Sequence, residues 1–241
     1  LTAPATLSTD AFYDAVRSLQ PQVAIFDCDG TLWSGDAGST FMRWTIETGL
    51  LSREASEWMN ERYRLYKHGE VSELAICGEM VQVYEGLRET ELRAAAEQFF
   101  AENVQRNVFP EMLALVDELR RGGTEIWAVS STNDWVIEAG VRGFGIPPER
   151  VLSAKIAFAD GVATRKLLDV PTDEGKVASI ERAGITNPDA VFGNSVHDAA
   201  MLAVARRAFP VNPTEALVER SGHEGWAMYY PASVAPASMK T

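Results

Sequence analysis

Two aspartates one residue apart, Asp27 and Asp29, follow the apolar run Val23-Ala24-Ile25-Phe26, and Gly30 comes directly after them. An apolar strand ending in this way delivers both carboxylates to the C-terminal edge of a sheet, where the glycine lets the backbone turn sharply. One carboxylate can then act as a nucleophile beside a cation held by the other. Taken alone, Asp-x-Asp-Gly also fits an Asp-rich turn or a calcium loop. Three later segments supply what such a site would still need. Ser130 ends another apolar strand, and Ser131, Thr132 and Asn133 follow at a helix start, where hydroxyls and backbone donors can hold an anionic oxygen. Lys176 lies early in a helix after Asp173-Glu174-Gly175, against the helix dipole, and by itself fits a solvated surface lysine equally well. Gly193-Asn194-Ser195-Val196-His197-Asp198 offers an amide oxygen and a carboxylate to a hard cation. Each cluster alone fits an ordinary loop. All four in this order, each near a strand's C-terminal end, point to one site.

The elements that must position them follow from periodicity. Thr9 can cap a short helix with Phe12, Val16 and Leu19 on one face, leading through Pro21 into the first strand. From roughly residue 39 to 104 the apolar residues Phe41/Trp44/Thr45, Trp58/Tyr63/Tyr66, Met80/Val83/Tyr84 and Leu92/Ala96/Phe99 recur at helical spacing. About four mutually packed helices are expected there, with these aromatics as their core. Pro110 suits the first turn of a helix ending near Gly122-Gly123, before the strand Glu125-Ile126-Trp127-Ala128-Val129-Ser130. A helix over 133–142, a hairpin of 154–159 and 162–167 around Asp160-Gly161, and a helix from near Glu174 follow. The strand Asp189–Gly193 and a last helix over Asp198–Arg206 complete the pattern, with 231–241 as a loosely packed terminus. Repeated strand–helix units predict an α/β fold, a three-layer sandwich with a mostly parallel sheet. The expected division is 1–38 with 105–241 as the core and 39–104 as a helical insertion.

Bulk properties narrow the partners. The 241 residues suffice for one full core plus an insertion, and 46% hydrophobic with 23% charged residues is ordinary globular composition. A net charge of −12, from 34 acidic against 22 basic residues, disfavours nonspecific binding to nucleic acid and attraction to anionic membranes. Two cysteines make no disulfide framework, and Cys28, between the paired aspartates, is expected in the core. His68, His197 and His223 show no zinc spacing, and no stretch approaches a membrane span. A cytoplasmic location is expected. The start at Leu1-Thr2-Ala3-Pro4, without methionine, leaves open an export signal removed upstream.

With these motifs in place, the sequence resembles the haloacid dehalogenase-like hydrolase superfamily, in its phosphoserine-phosphatase-like branch, over roughly residues 20–230. The resemblance rests on Asp27-Cys28-Asp29-Gly30-Thr31, Ser130, Gly175-Lys176, and Gly193-Asn194-Ser195 with Asp198. It implies a Rossmann-like core with a helical cap inserted after the first motif, and a Mg²⁺-dependent phosphatase for a small phosphorylated metabolite. In that reading Asp27 attacks phosphorus to give an aspartyl-phosphate, and Asp29 protonates the leaving oxygen and then activates water. Mg²⁺ is expected on Asp27, the Asp29 carbonyl, Asn194 and Asp198. Ser130 and Lys176 bind the phosphoryl oxygens, Thr31 supports the phosphate loop, and Ser131 belongs to the phosphate-binding turn. Dehalogenases of the superfamily lack the second aspartate, because halide needs no protonation, so Asp29 favours a phosphatase. One departure is Asn194, where the branch commonly carries aspartate; it removes a charge from the metal site. A phosphotransferase using the same intermediate and a noncatalytic phosphoester-binding protein are the alternatives.

Substrate identity rests on fewer residues. Asp36 lies nine residues after Asp27, where the branch's phosphoserine phosphatases carry a glutamate that contacts the substrate's amino group. An amino-bearing or cationic phosphomonoester is therefore expected, with a solvent-facing turn aspartate as the alternative. Trp33 and Trp44 are candidates for an apolar or cation–π wall or for packing between the two regions, and Arg62 and Arg64 for contact with a substrate carboxylate.

Overall fold

The computed structural model describes residues 4–234. The chain opens with the short strand β1 (Thr6–Leu7) and helix α1 (Thr9–Leu19). The cap of α1 is Ser8 rather than Thr9: its hydroxyl accepts the Ala11 N–H, and Thr9 is already the first helical residue. Strand β2 (Val23–Phe26) follows, and then four helices, α2 (Ala37–Glu47), α3 (Arg53–Lys67), α4 (Glu73–Gln82) and α5 (Glu89–Phe99). The chain re-enters the core through α6 (Pro110–Arg121), β3 (Glu125–Asn133), α7 (Asp134–Val141), and the hairpin β4 (Val151–Ala159) with β5 (Val162–Asp169). It finishes with α8 (Glu174–Arg182), β6 (Ala190–Gly193), α9 (Ala199–Ala203), β7 (Arg207–Pro210), α10 (Glu215–Glu224) and β8 (Met228–Tyr229).

Six strands form one sheet in the order β5-β4-β3-β2-β6-β7, parallel except for the antiparallel β4–β5 hairpin. Alternation along the strands builds the layers. Ala24 and Phe26 of β2, with Ala190 and Phe192 of β6, face a cluster containing Phe12 of α1, Leu115 of α6 and Val136 of α7. Ile25 and Val191 face the opposite way, against Ile180 of α8, Met201 of α9 and Leu217 of α10. This is the predicted three-layer α/β sandwich, Rossmann-like, with the helical cap inserted between β2 and β3. Cys28 is buried in the first of these clusters, as expected.

Three details differ from expectation. The helix over Asp198–Arg206 is neither that long nor the last: α9 spans only Ala199–Ala203, and β7, α10 and β8 follow. Arg206 and Arg207 donate their amides to Pro188 O and Asp189 O, which draws that stretch into the sheet edge. The aromatic residues of the insertion also divide. Tyr84 of α4's C-terminal turn meets Trp135 of α7 with ring centroids 5.5 Å apart, and Phe41 and Phe99 belong to the cluster of the core itself. Met42, Met59, Val71, Ile76 and Cys77 form a separate small core between α2, α3 and α4. Trp58, expected inside, is 39% exposed. Of the terminus expected to pack loosely, Pro231 is buried and Ala232 donates its amide to Glu111 Oε1; 235–241 lie outside the described residues, as do Leu1–Ala3.

Candidate active site

Asp27 stands just past β2, at the point where the chain departs to β3 on one side of the sheet and β6 lies on the other. Ligands collect at such a switch, because adjacent loops diverge there and leave a crevice. The turn after Asp27 is tight: Gly30, at a φ of +78°, donates its amide to Trp33 O at 2.8 Å. A Cβ on Gly30 would overlap the side-chain amide of Asn194, so only glycine permits both this backbone and the approach of the β6 loop.

Lys176, in the first turn of α8, is 2% exposed, so the surface reading of this lysine is set aside. Its ammonium donates to Asp27 Oδ1 at 2.7 Å and to Asp198 Oδ1 at 2.5 Å. Burial alone would depress its pKa, but Asp198 and Asp27 outweigh that and hold the ammonium above the usual lysine range. Burial, and then the charge of Asp198, push Asp27 up to about 7 against the pull of Lys176.

Asp29 is held by separate donors. Trp33 Nε1 and the Ala37 N–H both donate to its Oδ1 at 2.7 Å, and Thr132 Oγ1 donates to Oδ2 at 2.8 Å. Burial, then the charge of Asp36, raise its pKa to about 6, while these three donors pull it down. Neither N–H can accept a proton, whereas the Thr132 hydroxyl can rotate. A proton on Asp29 would therefore be accommodated on Oδ2. Thr132 reaches it because the register of β3 against β4 shifts between Ser130 and Asn133, lifting Ser131 and Thr132 out of the ladder.

These groups line a cleft of about 220 Å³ between the cap and the C-terminal sheet edge. Asp27, Asp29, Asp36, Ser130, Ser131, Lys176 and Asn194 all face it. Two expected site residues do not. Thr31 is fully buried and donates to Asp27 Oδ2 at 3.0 Å, so it supports the carboxylate instead of meeting substrate. Asp198 accepts the Asn194 and Ser195 N–H groups on Oδ2 at 2.9 Å each and Lys176 on Oδ1. In this arrangement Asp198 anchors the Lys176 ammonium and the turn after β6.

Asp36 caps α2, with Oδ1 accepting the Ser39 N–H at 2.9 Å and Oδ2 its hydroxyl at 2.5 Å. Ser131 lies against the Cys77 thiol of α4. Arg62 is paired with both oxygens of Glu79, and Arg64 with both oxygens of Glu61; neither lines the cleft. Sequence reasoning missed Trp33 and Thr132 as partners of Asp29. The Gly30 turn that folds Trp33 back was the available signal for the first; the shift within β3 left none for the second. Tyr63, Tyr66, Glu73 and His197 of the cleft were missed as well.

Among the described residues no three His, Cys, Asp or Glu side chains cluster as a metal cage. The donor set that faces the cleft still suits a hard divalent cation: a carboxylate from Asp27 and an amide from Asn194, with the Asp29 main chain between them in the same loop cluster. Asp27 and Asp198 share the buried ammonium of Lys176, and Asp29 adds a third carboxylate close enough to act on the charge of Asp27. That imbalance is what a divalent cation would offset.

Known proteins share the family and the fold of this chain. A family model described as haloacid dehalogenase-like hydrolase matches residues 24–203. A histidinol-phosphatase from Neisseria meningitidis serogroup C (strain 8013) is 25% identical over 215 residues, covering 85% of this chain and 96% of its own. A protein of unknown function from Bordetella pertussis Tohama I has a TM-score of 0.77 at 22% identity, with 86% of this chain and 97% of that one covered. A phosphoserine phosphatase solved with substrate bound has the same fold at 14% identity, TM-score 0.58, over 88% of this chain and 93% of its own.

Proposed function

This chain belongs to the haloacid dehalogenase-like hydrolase family, and on that premise we propose that it is a Mg²⁺-dependent phosphatase of a small, amino-bearing phosphomonoester. The observation that carries the reading is the pairing of two buried carboxylates with different partners in one cleft: Asp27 on Lys176, and Asp29 on Trp33, Ala37 and Thr132. Environments that separate two carboxylates in this way assign them separate tasks.

Asp27, oriented by Lys176 and Thr31, is the nucleophile, and attack on phosphorus gives an aspartyl-phosphate. Asp29 gives the proton on Oδ2 to the leaving alkoxide, then takes one from the water that cleaves the acyl phosphate. The Thr132 hydroxyl follows that proton by reversing its own hydrogen bond. Lys176 balances charge on the transferring phosphoryl group while Asp198 keeps the ammonium in place, and Ser130 offers a further donor from the register shift within β3. Mg²⁺, held by Asp27, the Asp29 carbonyl and Asn194, would reduce repulsion between the Asp27 carboxylate and the phosphate dianion.

The size of the cleft favours a metabolite over a phosphoprotein. No arginine is among the described residues that line it, so a bidentate clamp for a phosphoamino-acid carboxylate is lacking there, although Lys67 supplies one ammonium. An amino alcohol phosphate fits better, and the name of the Neisseria relative makes L-histidinol phosphate the first compound to try. Release of inorganic phosphate from L-histidinol phosphate and other small phosphomonoesters, with and without Mg²⁺, tests this. Metal-dependent turnover is expected, and Asp27→Asn should lower it at least 10³-fold, an order-of-magnitude expectation for a lost nucleophile. Full activity in Asp27→Asn, with deamidation excluded by mass spectrometry, would sink the nucleophile assignment.

A further inference from the structure

Glu73 opens α4 on the cap side of the cleft and is not used by the phosphoryl-transfer groups. Its side chain is 16% exposed. Oε2 is buried and receives no hydrogen bond, while the other donors at this carboxylate are the Cys77 thiol, weak and 3.4 Å from Oε1, and the nearby Tyr66 hydroxyl. His197 Nε2 stands 3.7 Å away, and the other ring nitrogen of that histidine is bonded to Asp173 at 2.8 Å. A carboxylate taken out of water with so few donors destabilises the fold, and such a group calls for an explanation.

Asp36, the other cleft carboxylate outside the catalytic pair, has both oxygens bonded to Ser39. Glu73 is thus, among the described residues outside the catalytic pair, the cleft carboxylate with an oxygen that no hydrogen bond satisfies. The aromatic faces nearby are already used: Lys67 lies over the rings of Tyr63 and Tyr66, 5.0 and 5.2 Å from their centroids.

We propose that Glu73 is the specificity residue of this enzyme, receiving a protonated amine of the substrate on its cleft-lining carboxylate. The proposal rests on the phosphatase reading above and narrows it. An ammonium bearing N–H groups supplies the hydrogen bonds that Oε2 lacks. A quaternary ammonium has none to give and would depend on aromatic faces that Lys67 covers. Primary-amine phosphomonoesters are therefore preferred over phosphocholine-type esters, although both are cationic.

The test compares kcat/KM for 2-aminoethyl phosphate, phosphocholine and propyl phosphate in the presence of Mg²⁺. Wild-type protein should prefer the primary amine over both others by roughly 10- to 100-fold, the scale of a hydrogen bond to a charged group. Glu73→Gln should collapse that ratio, mainly through KM for the amine, and Glu73→Asp, which keeps the charge one methylene back, should recover part of it. A ratio unmoved by Glu73→Gln, or moved as far by Asp36→Asn, would overturn the assignment and leave the phosphatase reading standing. Competition of wild-type turnover by 2-aminoethylphosphonate and propylphosphonate gives an answer independent of any variant's folding, and equal inhibition by the two would also overturn it. Absence of metal-dependent phosphate release from every ester tried, L-histidinol phosphate included, would remove the phosphatase reading and this inference together.

Discussion

Thr132 and Asn194 are the residues whose contribution is most open to direct measurement. Thr132 donates to Oδ2 of Asp29, the oxygen that would carry the proton in the proposed mechanism. Thr132→Val keeps the shape and removes the hydroxyl, so kcat should fall roughly 10- to 100-fold with KM little changed, as for an interaction needed in the chemical steps. Thr132→Ser should restore much of it, and a loss confined to KM would place the hydroxyl on substrate instead. In the proposed metal site Asn194 would offer a neutral oxygen where a carboxylate would bind more tightly. Asn194→Asp should therefore lower the Mg²⁺ concentration for half-maximal activity, read by metal titration at constant ionic strength. An unchanged midpoint would take Asn194 out of the metal site.

Elements place these residues, and α7 shows what that costs. Asn133 caps it by accepting the Val136 N–H at 3.0 Å, and Asp134 follows in its first turn, buried, with Oδ1 unbonded. Burial pushes Asp134 up to about 6, with Lys155 and Arg93 pulling the other way. Because the folded pKa lies above the unfolded one, the protonated form favours folding. That stabilisation is fully present below about 4, the unfolded pKa, and is lost as pH rises through about 6. Asp134→Asn removes this dependence. The thermal midpoint of the variant relative to wild type should thus be higher at pH 7.5 than at pH 5, by the equivalent of roughly 1–3 kcal/mol. A difference that stays constant with pH would mean that Asp134 titrates normally. The helical spacing of Leu92, Ala96 and Phe99 was enough to read α5 directly, and Pro110 with Gly122-Gly123 marked the two ends of α6. The stretch after Asp198 was not: a five-residue helix and a four-residue edge strand carry too little pattern to distinguish from one longer helix.

At the scale of the whole molecule, the insertion and the core are not independently packed. Phe41 and Phe99 of the helical segment share a cluster with Phe26 of the central strand and Trp135 of α7. Folding should accordingly be one cooperative event. Phe99→Ala should destabilise the protein by about 3–5 kcal/mol, as for a fully buried aromatic, and ellipticity and activity should be lost at the same denaturant concentration. Separate transitions would show that the helical segment unfolds alone. The same continuity brings α4, with Glu73 and Cys77, against the loops that carry Ser131 and Asn194.

What the sequence determined by itself was the inventory and order of the chemistry: paired aspartates after an apolar strand, a hydroxyl-rich turn, a lysine early in a helix, and an amide with an aspartate after another strand. Backbone periodicity is local, so the strand–helix alternation and the sheet edge that gathers these groups could be read from it. The tertiary structure alone decided which atom meets which. It gave Thr31 to Asp27, Thr132 and Trp33 to Asp29, and the oxygens of Asp198 to Lys176 and two backbone amides. It turned Asp36 into a helix cap and drew Arg62 and Arg64 away into pairs with glutamates. Those outcomes depend on hydrogen-bond competition between residues far apart in the chain, on a register shift within β3, and on burial that no spacing rule encodes. Glu73 shows this most clearly, because its meaning lies in the donors that folding withholds from it.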